Sequence, residues 1–383
     1  MSQFKSKGFT LIELMVGMMV GLVATVVMFQ VFAVSEGQKR TTTGAGDAQQ
    51  NGVGSVFSIE RDARQGGFGM SYTLMLGCTV NGSYNGGSAF TFQMAPYVIV
   101  DGTGGKAPDT LTIAYGDTRS FASPLKLAKT MTSATADIKA YNRFGLALGD
   151  LFILATDTTV PAPVPCTLHQ VQSRPGTDAI GHTTGGFIDA TGNARNTLYN
   201  WDSTRIYPAW NTTKRSGGRI INLGQDPTVV TYRLEGNQLV AINVLTPGDP
   251  NNKVVVSDNI VQFQVQYAFD ANGDGTVAAD ARQETVLNPA LGDQWADALP
   301  ANPTTAMWVG IIGVRFAIVS RSVTAERPDT VSGKCPTDVA PKWLATGRDL
   351  DLTADTNWKC YRYRVFEVTV PARNLAWLPD ETQ

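Results

Sequence analysis

The chain has 383 residues, 43% hydrophobic and 17% charged, enough to bury one large core or two modest ones. With 31 basic against 33 acidic residues, its net charge of −2 excludes an electrostatic footprint for nucleic acid. The 38 glycines and 19 prolines point to many turns.

The first predicted element is a helix over residues 8–34, GFTLIELMVGMMVGLVATVVMFQVFAV. From Phe9 to Val34 the only charged side chain is Glu13, and the other polar ones are Thr10, Thr25 and Gln30. As a helix this run is about 39 Å long, enough to cross a hydrocarbon core of ~30 Å with some tilt. Lys5 and Lys7, in the leader MSQFKSKG, hold the N-terminus in the cytoplasm, so the remainder is exported. An acid at the centre of a membrane span costs roughly 2.5 to 3.5 kcal/mol, which makes Glu13 a functional candidate. Gly8-Phe9 marks the polar/apolar boundary, and a cut there frees an amine on Phe9, about one turn from Glu13. The helix dipole favours a carboxylate in that first turn, and an ammonium within reach largely neutralises it. The amine is the chain's own or a neighbouring subunit's. A plain signal anchor needs neither Glu13 nor the Gly8-Phe9 junction. A secretory signal is cut after its apolar run, for which Val31-Phe32-Ala33 is a passable site, but this run is about twice the usual length.

Beyond Val34 the sequence turns polar. Val53, Val56, Phe57 and Ala63 share a helix face, with Glu60 and Arg64 at i, i+4. The pattern predicts a helix from Phe9 to Arg64 ended by Gly66-Gly67. Gly44, Gly46, Gly52 and Gly54 weaken it by ~1 kcal/mol each, so residues 41–54 are where any interruption would fall. Strand-like runs follow at 89–100, 109–117, 150–157 and 166–173. Residues 174–226 fit no period and read as a large surface insertion carrying Tyr199, Trp201, Tyr207 and Trp210. Lys214, Arg215 and Arg219 read there as solvated loop charge.

Residues 229–244 read as a hairpin turning at Gly236-Asn237. Val261 to Tyr267 alternates apolar and polar, predicting a strand with one buried face. Residues 307–322 are apolar on both faces, a central strand, and Arg362 to Val370 alternates again. One leading helix and several strands with long connections make an α+β protein. Its predicted parts are a leader (1–8), a membrane half-helix (9–34), an exported half-helix (35–65) and a β-rich globular domain (66–383) holding the 174–226 insertion.

Four cysteines in an exported domain suit disulfides. Three connectivities exist; Cys335–Cys360, a local loop, is favoured, leaving Cys78–Cys166. With no C-x-x-C pair and two histidines, no zinc site is indicated. Between two strands, Asp270, Asn272, Asp274, Gly275 and Thr276 match positions 1, 3, 5, 6 and 7 of a calcium loop. Position 12 is Ala281, so Asp280 or Glu284 would have to close the shell. An Asp/Asn/Gly turn without an ion uses the same residues. Catalysis finds no support: G-x-S-x-G, H-E-x-x-H and a phosphate-cradling loop are missing, and His169 and His182 lack a nucleophile motif. The glycines at 102–105 and 216–218 read as turns, and Asp349 and Asp351 as surface charge.

KGFTLIELMV resembles the class III signal of type IV prepilins and type II secretion pseudopilins, with its basic leader, glycine, phenylalanine and an acid at the fifth mature position. The resemblance implies cleavage between Gly8 and Phe9 by prepilin peptidase, N-methylation of Phe9 and an assembly charge on Glu13. RDARQGGFG followed by a cysteine, VRFAIVSRS, and YRYRVFEVTVPARNLAW narrow the likeness to PilW-type minor pilins. That family implies a subunit stored in the inner membrane with its N-terminus in the cytoplasm, whose periplasmic part enters the pilus filament. It implies the inner-membrane assembly platform and other minor and major pilins as partners, a place at the pilus tip, and support of piliation, twitching motility and adhesion. No cofactor is required beyond the calcium considered above. A minor pseudopilin of a type II secretion system is the alternative, and a membrane-anchored calcium-dependent binding protein the second.

Overall fold

The computed structural model describes residues 8–70, 73–102, 106–118, 123–156, 166–189, 191–200, 206–329, 332–335 and 337–374. Lys5, Lys7, the 103–105 glycine turn, Trp201 and the end of the C-terminal motif from Leu375 lie outside them.

The protein is α+β: one helix, Leu11–Gln65, precedes a mainly antiparallel β domain. The helix is continuous over 55 residues, close to the predicted bounds and unbroken across 41–54. It seats only half of the predicted face: Ala63 is buried and Val56 packs on the core, while Val53 and Phe57 are exposed (49% and 66%). The buried positions are Gly44, Ala48, Gly52, Ser55, Ile59, Asp62 and Ala63, spaced three and four apart. Two of the glycines explain the stripe. A Cβ on Gly52 would overlap the Phe366 ring, and one on Gly44 would lie 2.9 Å from Ser322 Cβ. Small residues let backbone meet strand, and the surrounding packing offsets their poor helix propensity. Gly46 and Gly54 face open space.

Hydrogen bonds pin the seated half. Ser320 Oγ donates to the Ala48 carbonyl at 2.7 Å and Tyr97 Oη to that of Ala63 at 2.6 Å. Asp62 accepts from the Tyr232 and Tyr115 hydroxyls at 2.7 and 3.3 Å. Asn374 Nδ2 donates to the Gln65 and Gly66 carbonyls at the helix end.

Three sheets surround one main core. The C-terminal sheet runs Arg282–Val286, Gln294–Ala298, Ile260–Phe269, Ile311–Arg321, Tyr363–Pro371. The middle sheet runs Lys253–Asp258, Gln238–Asn243, Thr228–Glu235, Thr110–Tyr115, Tyr97–Val100. A six-stranded sheet runs Ser88–Gln93, Thr79–Tyr84, Cys166–Gln170, Leu151–Thr156, Gly218–Gly224, Leu125–Lys126. The 228–243 hairpin turns at Gly236-Asn237 as expected, with Gly236 at φ 61°. The run 89–100 is instead two strands in different sheets, broken at Ala95-Pro96, since proline cannot donate to a ladder.

Two further expectations fail for physical reasons. The 174–226 region is not wholly surface. Gly218–Gly224 is an interior strand, Tyr207 and Trp210 are buried, and Arg219 lies 4.2 Å over the Trp210 ring. Cation–π contact replaces the solvation assumed for that arginine. Strand Ile260–Phe269 is buried on both faces, not one. Its glutamines lie under the 342–352 segment, whose Trp343, Leu350 and Leu352 form a small cluster on that side. Gln262 Nε2 donates to the Lys106 and Asp351 carbonyls, Gln264 Nε2 to that of Ala107, and Gln266 Nε2 to Asp297 Oδ1 at 2.6 Å. Each buried amide is thus satisfied from another segment, which removes the desolvation penalty.

Disulfides join Cys78 to Cys166 and Cys335 to Cys360, with Cα separations of 6.0 and 4.8 Å.

Candidate functional site

Thr10 is the N-cap of the long helix. Its hydroxyl accepts from the Glu13 backbone N–H at 3.3 Å, while Glu13 Oε2 accepts from the Thr10 backbone N–H at 2.9 Å. This is a capping box, in which two unpaired donors of the helix start satisfy each other's partners. The Thr10 hydroxyl donates to the same Oε2 at 2.9 Å. Glu13 is therefore held against the chain one residue beyond Phe9, close to any amine made there. Phe9 is 87% exposed and Gly8 has open space around it, so the junction is sterically accessible. The helix from Leu11 to Val34 is long and apolar enough to cross a membrane, and its side chains are unburied by the rest of the chain. Sequence reading singled out Glu13 for its charge but missed Thr10 as its partner, although T-x-x-E is a legible capping signal.

The 270–280 turn has a different composition from the one expected. Asp270 accepts from the Asn272, Gly273 and Gly275 N–H groups at 3.1, 2.6 and 2.7 Å. Asp274 accepts from the backbone and hydroxyl of Thr276, both at 2.8 Å, and the hydroxyl bond leads in holding its carboxyl below the usual range. The acidic group brought together is Asp270, Asp274 and Asp293, with ligand oxygens within 4.8 Å of one another. Asp280 is not in that group; Thr276, expected to offer its backbone carbonyl, has its hydroxyl bonded to Asp274. Asp293 lies outside the loop motif, contributed by the turn ahead of Gln294–Ala298. It accepts from the Ala271 N–H at 2.9 Å and lies 3.4 Å from Asn272 Nδ2. The Asn272 amide turns its NH2 to Asp274 and Asp293, its oxygen accepting from the Asp274 N–H, so the three carboxylates are the oxygens a hard cation could use.

Asp349 pairs with Lys342 at 3.6 Å, and Asp351 accepts from Thr353, each a local surface contact. The two histidines are buried against each other, away from both sites.

A capped apolar helix with an acid in its first turn, leading into a β domain, is the architecture of a type IV pilin precursor. Residues 3–29 match the prokaryotic N-terminal methylation motif, and residues 226–374 match the family described as Type IV Pilus-assembly protein W. The two matches bear out the resemblance to PilW-type minor pilins over the residues they cover. No curated protein and no solved structure gives a significant match.

Proposed function

We propose that the chain is cut between Gly8 and Phe9 by prepilin peptidase, methylated on Phe9, and carried into a pilus as a priming subunit near its tip. In this reading residues 1–8 are the leader, 9–34 stay in the inner membrane until assembly, and 35–383 lie on the periplasmic side. The observation that carries it is the Glu13–Thr10 capping box, which sets a carboxylate one residue from the new amine. In hydrocarbon a lone carboxylate costs several kcal/mol, so docking that pairs Glu13 with a Phe9 ammonium is favoured over shifted registers. Partners are other minor and major pilins and the inner-membrane assembly platform, and the outcomes are piliation, twitching motility and adhesion.

The first test is the mass and first residue of the mature chain: N-methyl-Phe9 supports the reading, and the original Met1 or a start beyond Val34 ends it. Deleting the gene should abolish twitching; loss of exoprotein secretion with twitching intact would move the chain to a type II secretion system.

A calcium role rests on the grouping of Asp270, Asp274 and Asp293. At this spacing three carboxylates repel, and a bound cation would relieve that. Millimolar calcium should then raise the melting temperature by a few degrees relative to chelator, and Asp293→Asn should cancel the rise. An unchanged melting temperature would leave a turn held by its own hydrogen bonds.

A further inference from the structure

The six-stranded sheet is covered on both faces. Ile153, Leu168 and Ile221 point to the main core, while Phe152, Leu154 and Ile220 point to a second apolar cluster. Over that second face lies a roof of chain, part of which is the short ladder pairing Ile138–Lys139 with Ala179–Ile180. The sequence contains two histidines, and they meet at this seam. His169 lies on the sheet, its ring stacked 5.7 Å from that of Phe152. His182 belongs to the roof, two residues beyond Ile180. Their ring centroids are 4.6 Å apart, edge to face, and the residues are 3% and 1% exposed.

Hydrogen bonding fixes the protons on one side of the seam. His182 Nε2 lies 3.1 Å from the Ala136 carbonyl and so carries its hydrogen there. Its Nδ1 is a buried lone pair without a partner among the described residues. His169 Nε2 lies 2.9 Å from Thr167 Oγ1, which shares a hydrogen with the Tyr207 hydroxyl, and Nδ1 lies 3.3 Å from Asn200 Oδ1.

We propose that the His169–His182 contact is an acid-operated latch between the sheet and its roof. Protonating His182 puts a hydrogen on Nδ1, near which stand the Asn200 side chain and its own carbonyl, neither of them bonded to it in the closed seam. Protonating His169 places a cation among Phe152, Thr167, Asn200, Tyr207 and the other imidazole. Among the described residues facing the pair, the one carboxylate is Asp137, ahead of the ladder and exposed to solvent. Nothing buried neutralises either charge, and two cations at this distance repel. Burial holds His169 down to about 3, with the charge of His182 adding to the effect, and burial also lowers His182. A solvated histidine titrates near 6.5. The closed seam therefore binds fewer protons than the open one, so its stability is full above about 6.5 and lost as pH falls below it. Each histidine shifts the closed-to-open ratio by up to about tenfold per pH unit in that range. Opening uncovers Phe152, Leu154 and Ile220, an apolar face that a partner could meet only in acid.

The test uses the untagged full chain in detergent micelles, with hydrogen exchange read at pH 7.5 and 5.0 and corrected for intrinsic rates. Protection in peptides 136–146 and 174–188 should fall at least about tenfold at pH 5.0, while strand Ile260–Phe269 loses none. His169→Gln with His182→Gln should flatten the response. Should that variant not fold, the Hε1 resonances of the wild-type histidines carry the test, because the chain gives two of them. Both should titrate well below 6.5, with the roof opening as they do. Titration of both near 6.5 with roof protection unchanged, equal loss of protection throughout the domain, or an unaltered pH response in a folded double variant would each overturn the latch.

Discussion

Gly52 and Gly54 stand two positions apart on one helix, one pressed on the Phe366 ring and the other facing open space. Gly52→Ala should destabilise the fold by about 1–3 kcal/mol, because a methyl inserted there must displace the ring. Gly54→Ala should stabilise it by about 0.5–1 kcal/mol through helix propensity alone. Urea unfolding followed by circular dichroism separates the two signs. Asp109, 1% exposed, accepts from the Gly102 and Val265 N–H groups, each at 2.7 Å. Burial nevertheless dominates and pushes its carboxyl up to about 7, with Asp101 and Asp297 adding like charge. Below about pH 4 the folded and unfolded chains both hold that proton. As pH rises to 7 the unfolded chain releases it first, so this group's contribution to stability is lost over that interval. Protection of the Thr110–Tyr115 strand should accordingly rise as pH is lowered from 7 to 5, opposite to the histidine seam. A fall there would contradict the assignment.

At the level of elements, the 342–352 covering segment is closed into the domain by the Cys335–Cys360 bond, across 25 residues of chain. Replacing both cysteines by serine should cost about 3 kcal/mol in the loop-entropy picture. The loss should appear as faster exchange in Ile260–Phe269, whose glutamine side is then less well covered. These elements also mark what a sequence can convey. The 228–243 hairpin was legible because its turn and its strands are coded within a few residues. The alternation at 261–267 located a strand correctly but suggested a wet face. Gln262 is satisfied by Lys106 and Asp351, residues 156 and 89 positions away, and no local pattern announces such a partner. Gly218–Gly224 was missed for a related reason. Its run, GRIINLG, does not alternate, and its arginine is accommodated by a tryptophan nine positions earlier. The helix seat was read only in part: Val56 and Ala63 do meet the core, but at Val53 and Phe57 bulk was sought where close approach needed its absence. At the candidate site, Glu13 was conspicuous as a charge in an apolar run, whereas Asp293 was hidden by its distance from the loop it joins.

At the scale of the whole molecule, the membrane end and the exported domain do separate work. Glu13→Ala should leave the exported domain's melting temperature unchanged while lowering the amount of subunit in sheared pili about tenfold or more, the factor that 1.4 kcal/mol represents. Normal incorporation would remove Glu13 from the assembly mechanism.

The unbroken helix, finally, has a mechanical consequence. Thr41 is tied to the domain through Glu326, and the exposed shaft from Leu11 to Val34, about 36 Å of it, stands clear below. With no joint along the way, a lean of about 10° at the foot of a rod some 83 Å long sweeps its far end sideways by about 14 Å. Whatever orients the foot thereby aims the head, and a tug from below is delivered undamped to the seam where Gly44 and Gly52 bear on the strands.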